Sequence, residues 1–459
     1  MPFENIFNEA SLLPKIRRSI YLMTMGNTFG TLWGVVTASG SSSLTGYAQY
    51  LGAGDFVFGI LTAIPLAAAL LQIPFATLVS RTQKRKKYMM TYGLISRILW
   101  LAIGLVPYFM PHNPDWLRLW TVIFLIGISS AFGSFINVCW LPWMADLVPQ
   151  DIRGRWISKR DGIINTASVT MGLIVAGILD NMPGRSGYTA VILAASVLGM
   201  LDMVCFFFME EVYKTPPLQL KIIPVCKQIL RNKPFLKFML FWTAWSFTAN
   251  MSGAYLARYA ITEMGLTFMS FTLCGQVAAA AVTVLIVSYW GRLHDHFGTK
   301  PVLWVSCIVA SLTPLFYLLS TPGSIWPTLL HNVIGAAFWC GANVAATSLQ
   351  LSASPDDQRP SYVAFFSCFT SLLGSFLGIL SGGAILEGIN SSIVLSGIIH
   401  DRYKFMIAVS VFLRISAVLL LVPALHNTSD YTTSDMFREL RYRFKLWRDT
   451  MKYRRYRRR

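Results

Sequence analysis

Apolar residues run through the chain in twelve long blocks separated by short polar links. Their approximate cores are 19 to 41, 56 to 79, 88 to 110, 119 to 144, 161 to 181, 188 to 208, 235 to 261, 268 to 290, 301 to 320, 326 to 350, 361 to 386 and 403 to 424. At about 1.5 Å per residue, each is long enough to cross the ~30 Å hydrocarbon layer of a bilayer. An isolated span in lipid has to satisfy its own backbone hydrogen bonds, so the pattern predicts twelve helices even where Val- and Ala-rich stretches would favour strands on propensity. The longest polar interruption before the tail places Glu210, Glu211, Pro216 and Pro217 ahead of an amphipathic run from Leu220 to Leu230. It predicts a surface helix joining two sets of six. The chain divides into a first six-helix domain (1–208), a cytoplasmic linker (209–233), a second six-helix domain (234–424) and a basic tail (425–459).

Composition narrows the class. Hydrophobic residues make up 54% of the 459 and charged residues 13%, against roughly 25% charged in soluble domains, which excludes an ordinary soluble enzyme. Cations alternate from link to link: Arg81 and Lys84 to Lys87 fill the second, Arg153, Arg155, Lys159 and Arg160 the fourth, and Lys214, Lys221, Lys227, Arg231 and Lys233 the sixth. The odd links hold scattered cations such as Arg118, Arg185, Arg402 and Lys404. That bias predicts cytoplasmic even links and termini in a multi-pass protein of the plasma membrane, and accounts for much of the +18 net charge. No small-residue cleavage site follows the first block, so it reads as an uncleaved span. The tail from Arg438 interleaves cations with Tyr442, Phe444, Trp447, Tyr453 and Tyr456, and is expected on anionic lipid headgroups rather than nucleic acid. The seven cysteines lie singly, which argues against disulfides and metal ligation. No cofactor is implied, since there is no phosphate-binding loop or acidic metal cluster.

One pattern is written twice. Asn137-Val138, Pro149, Asp151, Arg153 and Trp156 recur as Asn343-Val344, Pro355, Asp357, Arg359 and Tyr362, each displaced by 206 positions (343 − 137). Each copy runs from an apolar block through a short basic link into the next block, as in a duplicated membrane domain. Gly374, Gly378 and Gly382 recur every fourth residue in the eleventh block and predict close helix packing.

Two links carry a family resemblance. Gly291-Arg292-Leu293-His294-Asp295-His296-Phe297-Gly298-Thr299-Lys300 resembles the Gly-x-x-x-Asp-x-x-Gly-x-Lys/Arg loop of the major facilitator superfamily, and Asp146, Pro149, Arg153 and Gly154 are similar to its signature after the fourth helix. The resemblance implies an all-α membrane fold of twelve helices in two pseudo-symmetric halves, working as a secondary transporter by alternating access. Short turns dense in Asp and Arg can lock helix ends together through the helix dipoles. Asp146, Arg153, Arg155, Gly291, Asp295, Gly298, Lys300, Asp357 and Arg359 are therefore expected in cytoplasmic latches. The second link lacks the family's Asp and Gly, and Ser352 stands opposite Asp146, so the two latches are expected to differ.

In this superfamily the first, fourth, seventh and tenth helices line a central cavity. Here they carry polar residues at helical spacing: Asn27 and Thr31; Ser130, Ser134, Asn137 and Trp140; Thr243, Ser246 and Asn250; Asn332, Trp339 and Asn343. Stripes of this kind should face protein or water, either as a solute site or as interhelical hydrogen bonds. Amides, hydroxyls and indole rings suit a neutral solute such as a sugar or nucleoside, with export of an amphipathic or drug-like compound as the competitor. A transport-inactive sensor or scaffold could keep the same fold.

The few charges within spans are the candidates for coupling or gating. Arg97 and Arg414 lie near the midplane and are expected in ion pairs or on backbone carbonyls. Asp202 is the candidate for H+ or Na+ coupling or for an arginine partner, and Arg258, Glu263 and His331 for an outer gate. A monomer is expected.

Overall fold

The computed structural model describes residues 14–82, 84–211, 228–355, 358–389, 401–425 and parts of 431–441. The stretch 212–227 of the expected surface helix, Asp357, and the basic tail from 442 lie outside the described residues, as does the side chain of Arg359.

Among the described residues there are twelve long helices and no strand. The first half holds α1 (Pro14–Thr37), α2 (Asp55–Ala67, a 3-10 turn Ala68–Leu71, then Gln72–Thr82), α3 (Arg85–Phe109), α4 (Asp115–Leu147), α5 (Gln150–Asn181) and α6 (Arg185–Phe207). The second holds α7 (Lys233–Thr262), α8 (Phe268–Thr272, a π-helical turn Leu273–Val277, then Ala278–Phe297), α9 (Thr299–Leu312, continued as a 3-10 segment Thr313–Leu319), α10 (Trp326–Ser352), α11 (Arg359–Phe369, a π-helical segment Thr370–Phe376, then Leu377–Gly388) and α12 (Arg402–Leu421). Local chemistry sets several boundaries. The side chains of Asn232, Thr267 and Asp401 each accept a backbone N–H and start α7, α8 and α12. Gly298, at φ 78°, turns the chain between α8 and α9, where a side chain would be strained.

Ten of these helices are long and apolar enough to span a membrane by composition alone. α1 and α7 fall short because they carry polar stripes, such as Asn27, Thr28 and Thr31, or Thr243, Ser246, Thr248 and Asn250. One expected boundary moves substantially: α5 begins at Gln150 rather than near 161. Arg153, Arg155, Lys159 and Arg160 are thus helical and not in a link, because a helix satisfies its own backbone and can extend past the apolar core.

Even-numbered links and the start of α1 lie on one face of the protein, odd-numbered links on the other. The buried core differs between them. Toward the odd-link face one apolar cluster unites both halves, with Tyr47, Phe58 and Leu61 packed together with Tyr255, Tyr259 and Ile379. Toward the even-link face there are two clusters: one wholly of first-half residues, including Trp143, Trp156 and Phe206, and one wholly of second-half residues, including Phe238, Trp245 and Trp290. Packing between the halves runs through the odd-link parts of α2 and α11 and through α5 and the start of α8. The Gln72–Thr82 segment of α2 packs on α3 and α4 of its own half. The halves are joined at one end and diverge toward the other.

Candidate functional site

The joined end is tied by ionic contacts that cross between halves. Asp55, at the first turn of α2 and 4% exposed, accepts hydrogen bonds from Arg258 Nε (2.9 Å) on α7 and from Tyr403 OH (2.6 Å) on α12. Arg402 Nη2 lies 2.8 Å from its other oxygen, and Arg258 Nη2 also donates to Ala53 O at 2.6 Å. On the same side Glu387 accepts from Phe56 N, and Asp180, at the end of α5, accepts from Phe268 N and Met269 N at the start of α8. Asp180 there meets the positive end of a helix dipole. Asp55, Asp180, Glu387 and Tyr403 were not singled out from the sequence; each stands alone at a helix end, and only the packing of one half on the other gives it a partner. The expected outer gate of Arg258, Glu263 and His331 does not assemble. Arg258 turns to Asp55, Glu263 is exposed at the end of α7, and the His331 ring lies 5.3 Å from Tyr317 within the second half.

At the even-link face the two latch loops differ. Arg85 Nη1 lies 2.6 Å from Asp146 Oδ2 with both side chains buried, so the second link supplies a partner to the fourth-helix acid although it lacks the family's Asp and Gly. Arg153 Nη2 donates to Ala145 O (2.7 Å) and Val148 O (3.0 Å), capping the negative end of α4. Arg155 is exposed. In the second half Asp295 is exposed and its ionic neighbour is His294, 3.5 Å away, while Lys300 donates to Pro423 O at 2.7 Å. Gly291 lies within the last two turns of α8 and Gly298 at the α8–α9 turn, and Asp357 is outside the described residues.

Inside the helices two arginines differ in partners. Arg97 Nη2 on α3 lies 3.3 Å from Asp202 Oδ2 on α6, and its guanidinium sits 3.8 Å from the Trp33 ring on α1. α1 passes Asp202 with Gly26 and Gly30, where a Cβ would crowd the carboxylate. Arg414 instead donates to the carbonyls of Thr248 and Ala249 and to Ser252 Oγ, fastening α12 to α7.

The polar stripes separate into spent and unspent groups. Ser134 Oγ donates to Ala68 O at 2.8 Å, tying α4 to α2; Asn250 Nδ2 donates to Ser246 O and Ser375 Oγ; Asn332 Nδ2 donates to Thr328 O; Thr31 Oγ1 donates to Asn27 O. Ser246 packs where Gly374 lets α11 approach, and Trp339 lies tilted against Trp245 with centroids 4.4 Å apart. Among the described residues, Asn27 Nδ2, Trp140 Nε1 and Thr243 Oγ1 are buried without a partner. Asn137 and Asn343, the amides of the doubled pattern, are both exposed. An amide facing lipid in mid-helix is costly, and Asn137 lies about 140° around α4 from the exposed Phe124 at 3.6 residues per turn. Both lie on helices, α4 and α10, whose even-link parts belong to the two separate cores.

The family model of the Major Facilitator Superfamily matches residues 22–379. Among solved structures, the nucleoside transporter NupG is 12% identical, covers 89% of this chain and all of its own, and gives a TM-score of 0.68. An inward-facing bacterial homolog of the human lysosomal transporter Spinster is 14% identical over 90% of this chain and 98% of its own, with a TM-score of 0.65. The inward-open xylose transporter XylE from E. coli is 15% identical over 92% of this chain and 99% of its own, with a TM-score of 0.63. Comparison with curated proteins gives no match. Helix count, loop motifs, fold and family model agree: the chain belongs to the major facilitator superfamily and is a multi-pass membrane transporter, not an enzyme.

Proposed function

We propose that this transporter is secondary active and moves a small organic solute across the plasma membrane by alternating access, here in the state open at the even-link face. The supporting observation is the core itself, one shared cluster at the odd-link end and two separate clusters at the other. Rocking the halves about the middle would exchange which end is joined. The basic even links favour a cytoplasmic open face and cytoplasmic termini. The latch residues Arg85, Asp146 and Arg153 then hold the first half rigid while the Asp55 cluster closes the outer side. The Arg97–Asp202 pair, buried where α1, α3 and α6 meet, is the candidate for H+ or Na+ coupling. The protein works as a monomer, and its basic tail rests on anionic lipid.

A neutral polar solute such as a sugar or nucleoside fits the exposed Asn137 and Asn343, and nucleoside and xylose transporters are among the similar folds. Export of an amphipathic compound is favoured instead by the partly exposed rings of Trp242 and Trp339, both packed on the buried Trp245. Flux in proteoliposomes, with and without H+ and Na+ gradients, tests the reading. A solute that binds yet never crosses under any gradient would leave a sensor or scaffold in its place.

A further inference from the structure

On α5 of the first half one arginine side chain sits over two indole rings. Arg160 lies ten residues into α5, with its guanidinium 5.2 Å from the Trp140 ring and 5.0 Å from the Trp156 ring. Its Nε and Nη2 both donate to Asp161 Oδ1, at 2.9 and 2.7 Å, which fixes the plane of the group. The remaining nitrogen, Nη1, is buried without a partner. Trp156 Nε1 is satisfied by Thr24 Oγ1 of α1 at 3.0 Å, but Trp140 Nε1 is not satisfied, nor is Asn27 Nδ2, one turn along α1 from Thr24. Among the described residues α4 and α5 thus present unpartnered N–H groups at Arg160, and α1 presents a third one turn from the residue that binds Trp156. Buried polar groups are nearly always paired, and a cluster left unpaired with a single polarity marks a place where a ligand supplies the missing half.

We infer that Arg160, Trp140 and Asn27 receive the carboxylate of an organic monoanion, held between two indole rings. Arg160 and Asp161 together are neutral, so one added negative charge is tolerated there better than two, which favours a carboxylate over a phosphate dianion. This sharpens the solute class of the transport reading and rests on it: a carboxylate takes the place of the neutral end expected from amides and hydroxyls, several of which are spent on helix packing.

The test is binding to the full-length protein in nanodiscs, read by tryptophan emission and thermal shift, using benzoate, nicotinate and lactate against benzamide, nicotinamide and lactamide. The acids are expected to bind and the matched amides not. Arg160→Gln should weaken the acids by at least about tenfold and Trp140→Phe, which keeps the ring and removes the N–H, by about three- to tenfold, the scales of charged and neutral hydrogen bonds. Arg160→Lys, which keeps the charge without the fork, should retain part of the binding. Equal affinity for acids and amides, acid affinity unmoved by Arg160→Gln, or no acid binding at all overturns this inference. Inorganic phosphate binding more tightly than the acids overturns the choice of a monoanion. Alternating access is judged separately, from distances between the halves.

Discussion

If the Asp55 cluster closes the odd-link side, removing its charge must open that side without unfolding either half. Asp55→Asn keeps the shape and one acceptor oxygen but places an amide against two guanidiniums. Breaking a buried ion pair from one side costs about 3–5 kcal/mol. The Arg402 contact contributes little because its side chain is 44% exposed, and the retained oxygen can still accept from Tyr403, so about 3 kcal/mol is a fair figure for the loss of closure. At 1.4 kcal/mol per tenfold, the ratio of closed to open shifts by roughly 100-fold. A wild type about 1% open on that side would become about half open. Spin labels at Phe109 and Leu319, exposed at the odd-link ends of α3 and α9, in a background with the seven native cysteines replaced, report this as a second, longer distance. Arg258→Gln should give the same population, and the double variant little more than either single one, since both remove one interaction. An unchanged distance distribution in both variants, with normal melting, would refute the idea that this cluster sets the state.

The remaining expectations concern other contacts. Arg85→Gln should lower stability by about 3–5 kcal/mol, and Arg85→Gln with Asp146→Asn should recover part of it, measured by thermal melting in detergent; additive losses would mean the two side chains do not act as a pair. Gly382→Ala should separate α7 from α11, because its Cβ would strike the Met251 carbonyl, which is backbone and cannot retreat. A destabilisation of about 1–3 kcal/mol is expected, and a silent substitution would show that α11 shifts freely. Asn137→Ala and Asn343→Ala should each weaken solute binding while leaving melting unchanged, since both amides are exposed; unaltered affinity in both would remove them from the site. Arg153→Ala should slow flux more than it weakens binding, which a counterflow assay resolves.

Twelve helices, their duplication and the loop motifs were legible in the sequence because each depends on local signals: length, hydropathy, and charges a few residues apart. Partnerships across the molecule were not. Nothing near Asp55 forecasts that residues 258, 402 and 403 will surround it, and Arg85 looks like one cation in a basic run until α3 brings it to Asp146. The sequence marks polar stripes, yet it could not divide Ser134, which ties α4 to a turn of α2, from Asn137, three residues away and exposed. Arg160 was hidden for another reason. It is one of four cations close together, and only the early start of α5 lifts it from the expected link onto the Trp140 and Trp156 rings.

The two halves share a frame but hold themselves together differently, and the difference bears on where movement is absorbed. In the first half the buried charges pair with each other, Arg85 with Asp146 and Arg97 with Asp202, and α5 runs unbroken from Gln150 to Asn181. In the second half Arg414 leans on backbone carbonyls, and Gly374, Gly378 and Gly382 bring α11 against α7. Both π-helical segments lie there, in α8 and α11, and these are the second-half helices that α5 and α2 pack against. A π-helical turn carries an extra residue in its hydrogen-bonded ring and can migrate or resolve at small cost, whereas a regular helix resists bending. In the first half α2 alone is interrupted among the described residues, by the 3-10 turn Ala68–Leu71, so the proposed rocking is expected to carry the rest of that half as a block. If the halves rock as proposed, the change of shape is expected to fall on α8 and α11, whose odd-link segments pack against the first half.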